Sequence, residues 1–117
     1  MSRFENVNIF PERNEIRIES NENSKRVMYL IKEFLLNNEY IDLVSGTAGS
    51  PVSIRTCESL VRLGYATYEN VKTDTTLLNN KRRTKLIVRI KRTENFRKLY
   101  DENEEIRRMT QDINNMD

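Results

Sequence analysis

The amino-acid sequence predicts an α+β fold, a two-layer sandwich in which two helices lie on one face of a four-stranded sheet, in the order β-α-β-α-β-β. Three observations predict it. Residues 15–19 alternate between polar and apolar side chains, residues 24–35 repeat apolar side chains at helical spacing, and residues 65–92 contain two long β-prone runs. At 117 residues, the chain is expected to form one domain.

The first strand and helix follow from a change of periodicity. In residues 15–19, Ile16 and Ile18 are expected to face the core. Ser24 can cap the next helix, whose apolar positions are separated by three or four residues: Val27, Leu30, Ile31, Phe34 and Leu35. Asn37-Asn38 is expected to end this helix.

A glycine-containing loop joins the second strand to the second helix. The strand is expected over residues 40–44, and the loop runs through residues 45–51. Ser50 is a suitable N-cap, and Pro51 is a suitable first helical residue because its missing N–H would have no partner there. Gly64 is expected to end the second helix.

The last two strands are expected to form a hairpin with a basic end. Residues 65–76 and 84–92 are predicted to be its strands, and residues 77–83 a turn or flexible loop. In the second strand Leu86, Val88 and Ile90 are expected to face the core.

The chain is predicted to have three parts, and charge is distributed unevenly along it. The net charge is +2, yet residues 40–93 carry ten Lys and Arg against four Asp and Glu. Residues 94–117 carry four against seven. A basic centre beside an acidic tail is typical of a polyanion-binding protein, although such tails also serve as ordinary solubilising segments. The parts are an N-terminal arm or loosely attached edge segment, a nucleic-acid-binding domain, and an acidic, mostly helical tail: residues 1–13, 14–93 and 94–117.

Composition argues against several classes of protein. The chain has no histidine and one cysteine, Cys57, which is expected to be a buried, unreactive thiol. The carboxylates have no spacing typical of a metal site or an acid and base pair, so we expect no enzyme, no metal and no cofactor. With no apolar run of about 20 residues and no secretory signal, we expect a protein of the cytoplasm or nucleus with no membrane partner.

Three features of the sequence are candidates for binding. The strongest is the basic end of the hairpin, Asn79-Asn80-Lys81-Arg82-Arg83 with Lys85, which could follow a phosphate backbone or be only a solvated turn. The glycine loop before the second helix could admit a phosphate, although a plain turn is the commoner explanation. Tyr40, Tyr65 and Tyr68 could stack on bases, but core packing explains tyrosines more often.

The order and content of these elements resemble the Alba family of chromatin and RNA-binding proteins. The resemblance covers about residues 14–105 and rests on five segments. They are Asn14-Glu15-Ile16-Arg17-Ile18, Val27-Met28-Tyr29-Leu30-Ile31, Ser45-Gly46-Thr47-Ala48, residues 56–65 (TCESLVRLGY) and residues 85–92 (KLIVRIKR). The run into Glu94-Asn95-Phe96 and the acidic tail are closer to the eukaryotic branch.

The resemblance implies a dimer that binds RNA or DNA through its hairpins with low sequence specificity, and RNA is favoured because eukaryotic members are often linked to RNA metabolism. The partner would be a second copy or another Alba-like protein. Thr47 stands where family members carry a basic residue, which places more of the expected binding on the hairpin. The candidate contacts are Arg17, Lys25, Arg26, Arg55, Lys72, Lys81, Arg82, Arg83, Lys85 and Arg89. The alternatives are a ribonucleoprotein subunit, as in ribonuclease P, that binds RNA only as a heterodimer, and an enzyme on the same fold.

Overall fold

The computed structural model describes residues 7–19 and 22–104. In chain order the elements are β1 Val7–Phe10, a 3-10 turn Pro11–Arg13, β2 Glu15–Ile18, α1 Ser24–Leu35, β3 Tyr40–Ser45, α2 Ser50–Arg62, β4 Ala66–Leu78 and β5 Lys81–Arg92. Residues 96–104 form a further helix. The outer parts of the proposed arm and tail, residues 1–6 and 105–117, lie outside the described residues, and the three-part division of the chain remains a prediction.

One mixed sheet with the order β1-β2-β3-β5-β4 forms the first layer. β2 and β3 are parallel, and the other neighbouring strands are antiparallel. The predicted α+β sandwich and its β-α-β-α-β-β order are confirmed. The predicted count of four strands is wrong, because residues 7–10 of the N-terminal arm add a fifth strand.

Residues 7–10 form the fifth strand because they pair with β2, although their own alternation of polar and apolar side chains is weak. β1 lies antiparallel to β2, with Ile9 opposite Ile16. Ile9 is partly buried against the core. Because β1 gains both ladder hydrogen bonds and apolar contact only from β2, the four-residue pattern was too short to predict a strand alone.

The core lies between the helices and one face of the sheet. Ile16, Ile18, Leu43 and Ile90 are fully buried on that face. α1 contributes Val27, Ile31 and Leu35, and α2 contributes Val52, Cys57 and Leu60. Phe96 joins this core and makes an edge contact with Tyr65, with 5.8 Å between the ring centroids. The helix of residues 96–104 therefore lies on the helical side of the sheet.

The two long helices begin one residue earlier than the sequence predicts. Asn23 caps α1, and its side chain accepts a hydrogen bond from the Lys25 backbone N–H at 2.8 Å. Gly49 is the N-cap of α2, while the Ser50 hydroxyl donates to the Gly46 carbonyl at 2.7 Å. Both predicted caps, Ser24 and Ser50, are helical residues.

The hairpin is longer and its turn tighter than predicted. β4 continues to Leu78 and β5 begins at Lys81, so only Asn79 and Asn80 form the turn. Their φ angles are 53° and 62°, as a two-residue type I′ turn requires. The prediction of a flexible loop over residues 77–83 is wrong, because Leu77 and Leu78 pair with Arg82 and Lys81.

Among the described residues, no helix is both long enough and apolar enough to cross a membrane.

Candidate nucleic-acid interface

Several of the candidate cations lie around one end of the sheet, where β2 and β3 end. β2 ends at Ile18 and β3 at Ser45, but the β4–β5 hairpin continues beyond them, because Ser45 pairs with Leu86 and β5 begins five residues earlier. We call this region the hairpin end. Since α1 follows β2 and α2 follows β3, the first turns of both helices lie there too.

The face of the sheet opposite the helices, which we call the open face, is rich in cations. Val44 pairs with Arg17 and with Ile87, and Ile87 pairs with Lys72, so these side chains share one face. Alternation along the strands adds the remaining members. The cations of the open face are Arg17, Lys72, Lys81, Arg83, Lys85, Arg89 and Lys91.

Fewer carboxylates share this face. Glu15, Asp42 and Asp74 lie on it by the same register, and Glu69, at the bulge in β4, interacts electrostatically with Arg89. The open face therefore carries seven cations and these four carboxylates. The cations that lie farthest along the hairpin are Lys81 and Arg83, which pair across the strands with Leu78 and Thr76. The outer hairpin is the most positive part of the open face.

A cavity at the hairpin end opens between the finishing strands and the protruding hairpin. Its volume is about 400 Å³, and Arg17, Arg83 and Lys85 contribute cationic side chains to its lining. Gly46 also lines it, and a Cβ atom at Gly46 would meet no heavy atom within 4 Å. Glu19 lines the cavity too, so three cations and one carboxylate surround the space that a backbone phosphate would enter.

Two of the predicted contacts are already engaged in ion pairs on the open face. Arg89 donates from Nε to Asp42 Oδ1 at 2.8 Å and from Nη2 to Asp42 Oδ2 at 3.1 Å. This bonding raises the pKa of the Arg89 guanidinium above its ordinary value. Arg17 donates from Nε to Glu15 Oε2 at 2.7 Å. Both guanidinium groups are therefore less available to a phosphate than the exposed Lys81, Arg83 and Lys85 side chains.

The remaining predicted contacts are dispersed. Lys25 and Arg26 are exposed in the first turn of α1, at the hairpin end. Lys72 is exposed on β4. Arg82 faces the helical side, because it alternates with Lys81 and Arg83 and pairs with Leu77. Arg55 is exposed on α2, also on the helical side.

The helical side of the hairpin carries a groove of different chemistry. A cavity of about 700 Å³ between α2 and the hairpin is lined by Ile54, Pro51, Leu86 and Arg55, among others. A smaller one of about 250 Å³ continues along the same surface past Cys57, Tyr68 and Val71. Ile54, Val71 and Leu77 are more than half exposed. We call this surface the apolar groove. The apolar groove was not predicted from the sequence, although the alternation of Val71, Thr73, Thr75 and Leu77 with the cations of β4 and β5 indicates a less polar side of the hairpin.

The three tyrosines considered for base stacking have separate environments. Tyr65 is buried in the core, and the Tyr68 hydroxyl donates to Glu58 Oε1 at 2.6 Å beside the apolar groove. Burial and this hydrogen bond raise the pKa of Tyr68. Tyr40 lies on the open face under Arg89, whose Cζ is 4.2 Å from the ring centroid. Only Tyr40 thus lies on the cationic surface.

Cys57 and the carboxylates form no reactive group within the described part of the chain. Cys57 is 1% exposed, and burial together with nearby Glu58 raises the pKa of its thiol to about 12. The thiol is consequently protonated at neutral pH and a weak nucleophile. In residues 7–19 and 22–104 there is no group of three or more Cys, Asp or Glu side chains that could hold a metal ion.

Comparison with solved structures finds a protein of the same fold. The crystal structure of ALBA1 from Trypanosoma brucei matches with a TM-score of 0.74, covering 85% of this chain and 86% of that chain. The chain has the Alba fold. The two sequences are 15% identical, so the match establishes the architecture alone. No family model and no curated protein sequence matches the chain.

The β4–β5 hairpin positions both the hairpin end and the apolar groove. It is the longest pair of elements in the chain, with 13 residues in β4 and 12 in β5. It separates a cationic face from an apolar one along its length. The loop before α2, residues 45–51, contains no Lys or Arg and adds no cation to the hairpin end.

Proposed function

We propose that this chain is a non-catalytic nucleic-acid-binding protein of the Alba type, which binds the phosphate backbone of RNA, and also of DNA, with low sequence specificity. The single observation that carries the proposal is the concentration of cations on the open face and at the hairpin end. Contacts to phosphates position a protein on a nucleic acid but do not read its sequence. The proposed contacts centre on Lys81, Arg83 and Lys85, with Arg17, Lys25, Arg26, Arg55, Lys72, Arg82 and Arg89 as the wider set.

The working unit in this proposal is a dimer. The apolar groove supports it, because Ile54 and Val71 line it together with exposed apolar side chains, and Leu77 exposes another on the same side of the hairpin. A second copy, or a related chain with the same fold, would cover the groove and leave both open faces available. RNA is the preferred ligand in this proposal because the resemblance leans toward the eukaryotic branch.

A second candidate function is a protein-interaction subunit of a ribonucleoprotein that binds RNA only when paired with another Alba-like chain. The apolar groove and the missing cation at Thr47 favour it, because both shift the balance from nucleic acid toward a protein partner. Weak RNA binding by the chain alone, with tight binding after addition of a related partner, would distinguish this function from that of a homodimer.

The direct test replaces Lys81, Arg82 and Arg83 together by Ala. If the hairpin contacts phosphates, affinity for RNA and DNA falls at every sequence tested. The melting temperature stays near that of the unaltered protein, because exposed charges contribute little to folding. The control reverses the charge of Arg97 and Lys98, which lie on the helix of residues 96–104, by changing both to Glu. This change is expected to have a smaller effect on affinity. Retained affinity in the triple variant would contradict the hairpin as the site.

A further inference from the structure

The Arg89 side chain contacts two neighbours on the open face, Tyr40 and Asp42. Its Cζ lies 4.2 Å from the centroid of the Tyr40 ring, and its Nε and Nη2 atoms are both hydrogen-bonded to the Asp42 carboxylate. The side chain is nevertheless 39% exposed. The tyrosine ring therefore covers part of the guanidinium group, the carboxylate engages one of its hydrogen-bonding edges, and the rest remains accessible.

Arg17 repeats this arrangement at the other side of the same face. Its Cζ lies 4.8 Å from the centroid of the Phe10 ring, and its Nε donates to Glu15 Oε2. The Arg17 side chain is 35% exposed. Two carboxylate-bound arginines, each stacked on an aromatic ring, thus lie on one face of the sheet.

These arginines are suited to stack on bases. A guanidinium group binds a phosphate through one of its hydrogen-bonding edges, and here a carboxylate already engages one edge, through Nε and Nη2 in Arg89 and through Nε in Arg17. An arginine plane can also stack on an unpaired base, an interaction that uses the face of the group. Because the aromatic ring and the carboxylate fix each plane, a base would lose little further side-chain entropy on stacking.

We propose that the open face binds single-stranded nucleic acid by stacking unpaired bases on the outer faces of Arg17 and Arg89. Bases in a duplex are paired and stacked on each other, so they cannot reach these planes. The inference rests on the proposed function and names its ligand class. The exposed cations on the same face, led by Lys81, Arg83 and Lys85, bind the phosphates of the same strand.

The spacing of the two planes fits a strand whose bases are splayed. Arg17 lies on β2 and Arg89 on β5, with β3 between them, and their partners Val44 and Asp42 are two residues apart. Strand spacing and rise per residue therefore separate their Cα atoms by about 12 Å. Two bases that stack on these planes are well separated along an extended strand.

The first experiment alters the ligand and leaves the protein intact. A short oligouridine RNA, an oligothymidine DNA of the same length and an abasic DNA strand with the same number of phosphates are titrated into the full chain. We expect both base-containing strands to bind at least about fivefold more tightly than the abasic strand, as one stacked base provides. Equal affinities for all three would overturn the inference.

The second experiment keeps the charge and removes the plane. In Arg17→Lys/Arg89→Lys, affinity for oligouridine should fall about fivefold or more for each lost stack, while affinity for the abasic strand and the salt dependence should stay unchanged. The matched control is Arg62→Lys/Arg97→Lys, which changes two exposed arginines outside the open face and should not change the affinity or the preference for bases. The fluorescence of 2-aminopurine in a single strand should rise on binding to the unaltered chain and to the control, because splayed bases no longer stack on each other, and the rise should be smaller in the double variant.

The outcomes separate this inference from the proposed function. If the double lysine variant, with an unchanged melting temperature, binds oligouridine and raises 2-aminopurine fluorescence as the unaltered chain does, base stacking on Arg17 and Arg89 is wrong while nucleic-acid binding stands. If the unaltered chain binds neither the abasic nor the base-containing strands, nor any duplex, the proposed function itself fails. If the lysine substitutions lower the melting temperature, the comparison of intact and abasic strands on the unaltered chain still decides the inference.

Discussion

Gly49 is a position where the size of one side chain determines how the helix layer meets the sheet. A Cβ atom at Gly49 would overlap the backbone carbonyl of Ile18, at the end of β2. The first turn of α2 can thus pack directly on this strand end only without a side chain. Gly46, three residues earlier, has no such neighbour and lies in open space. The sequence alone shows two similar glycines in one loop, and only packing distinguishes their roles.

We predict that Gly49→Ala destabilises the fold and Gly46→Ala does not. Gly49→Ala forces a backbone shift of β2 or α2, and overpacking of this kind costs about 1 to 3 kcal/mol. Gly46→Ala leaves the free energy of unfolding unchanged or raises it by up to about 1 kcal/mol, because the unfolded chain loses freedom. Urea denaturation of both variants measures the difference. Equal stabilities would mean that α2 can move away from Ile18 without penalty.

The β4–β5 hairpin shows how far element boundaries follow from sequence. Its strands were predictable from their β-branched residues and from the alternation of Leu86, Val88 and Ile90. The outer part was misassigned as a loop because polar residues such as Lys81 and Arg83 have weak strand preference alone. They join the sheet because each pairs across the hairpin, and the pairing is set by the Asn79-Asn80 turn. The strand β1 was missed for the same reason, because its pairing with β2 stabilises it and its own four residues do not reveal that pairing.

We predict that the turn controls the order of the hairpin tip. Replacing Asn79 and Asn80 by Ala places two alanines in the left-handed region, at about 1 to 2 kcal/mol each. Amide hydrogen exchange should then become faster in the outer hairpin, while core amides such as those of Ile16 and Leu43 keep their protection. Asn80→Gly serves as the control, because Asn-Gly is a favoured type I′ pair. Unchanged exchange at the tip would show that cross-strand contacts hold it without the turn.

At the scale of the whole molecule, the hairpin separates two kinds of surface. Its open side carries Lys81, Arg83 and Lys85, and its helical side carries Val71 and Leu77 beside α2. The sequence predicted the cations and their concentration near residue 83. It could not show that Arg82 points away from its neighbours, or that Arg17 and Arg89 are bound to carboxylates, because strand register and side-chain contacts decide both.

We predict that the chain is a dimer at micromolar concentration and that the apolar groove is its interface. Ile54→Lys places a charge in the groove, so it should shift sedimentation toward the 13.9 kDa monomer without unfolding the chain. Leu63→Lys is the matched control, because Leu63 is also an exposed apolar residue of 45% exposure but does not line the groove. A dimer that resists Ile54→Lys would place the interface elsewhere, and a wild-type monomer would leave only pairing with a different chain.

The central claim is that a phosphate backbone runs along the open side of the hairpin, and salt dependence of binding tests it most directly. Two double variants remove the same charge: Arg83→Ala/Lys85→Ala on the open side, and Arg97→Ala/Lys98→Ala on the exposed surface of the helix of residues 96–104, on the helical side. For the open-side pair we expect the slope of log affinity against log salt to become shallower by about 1.8 on duplex DNA or about 1.4 on a single strand, for two lost phosphate contacts. The helical-side pair should change the slope much less. Equal changes in the two variants, or no change in the open-side pair, would contradict the account.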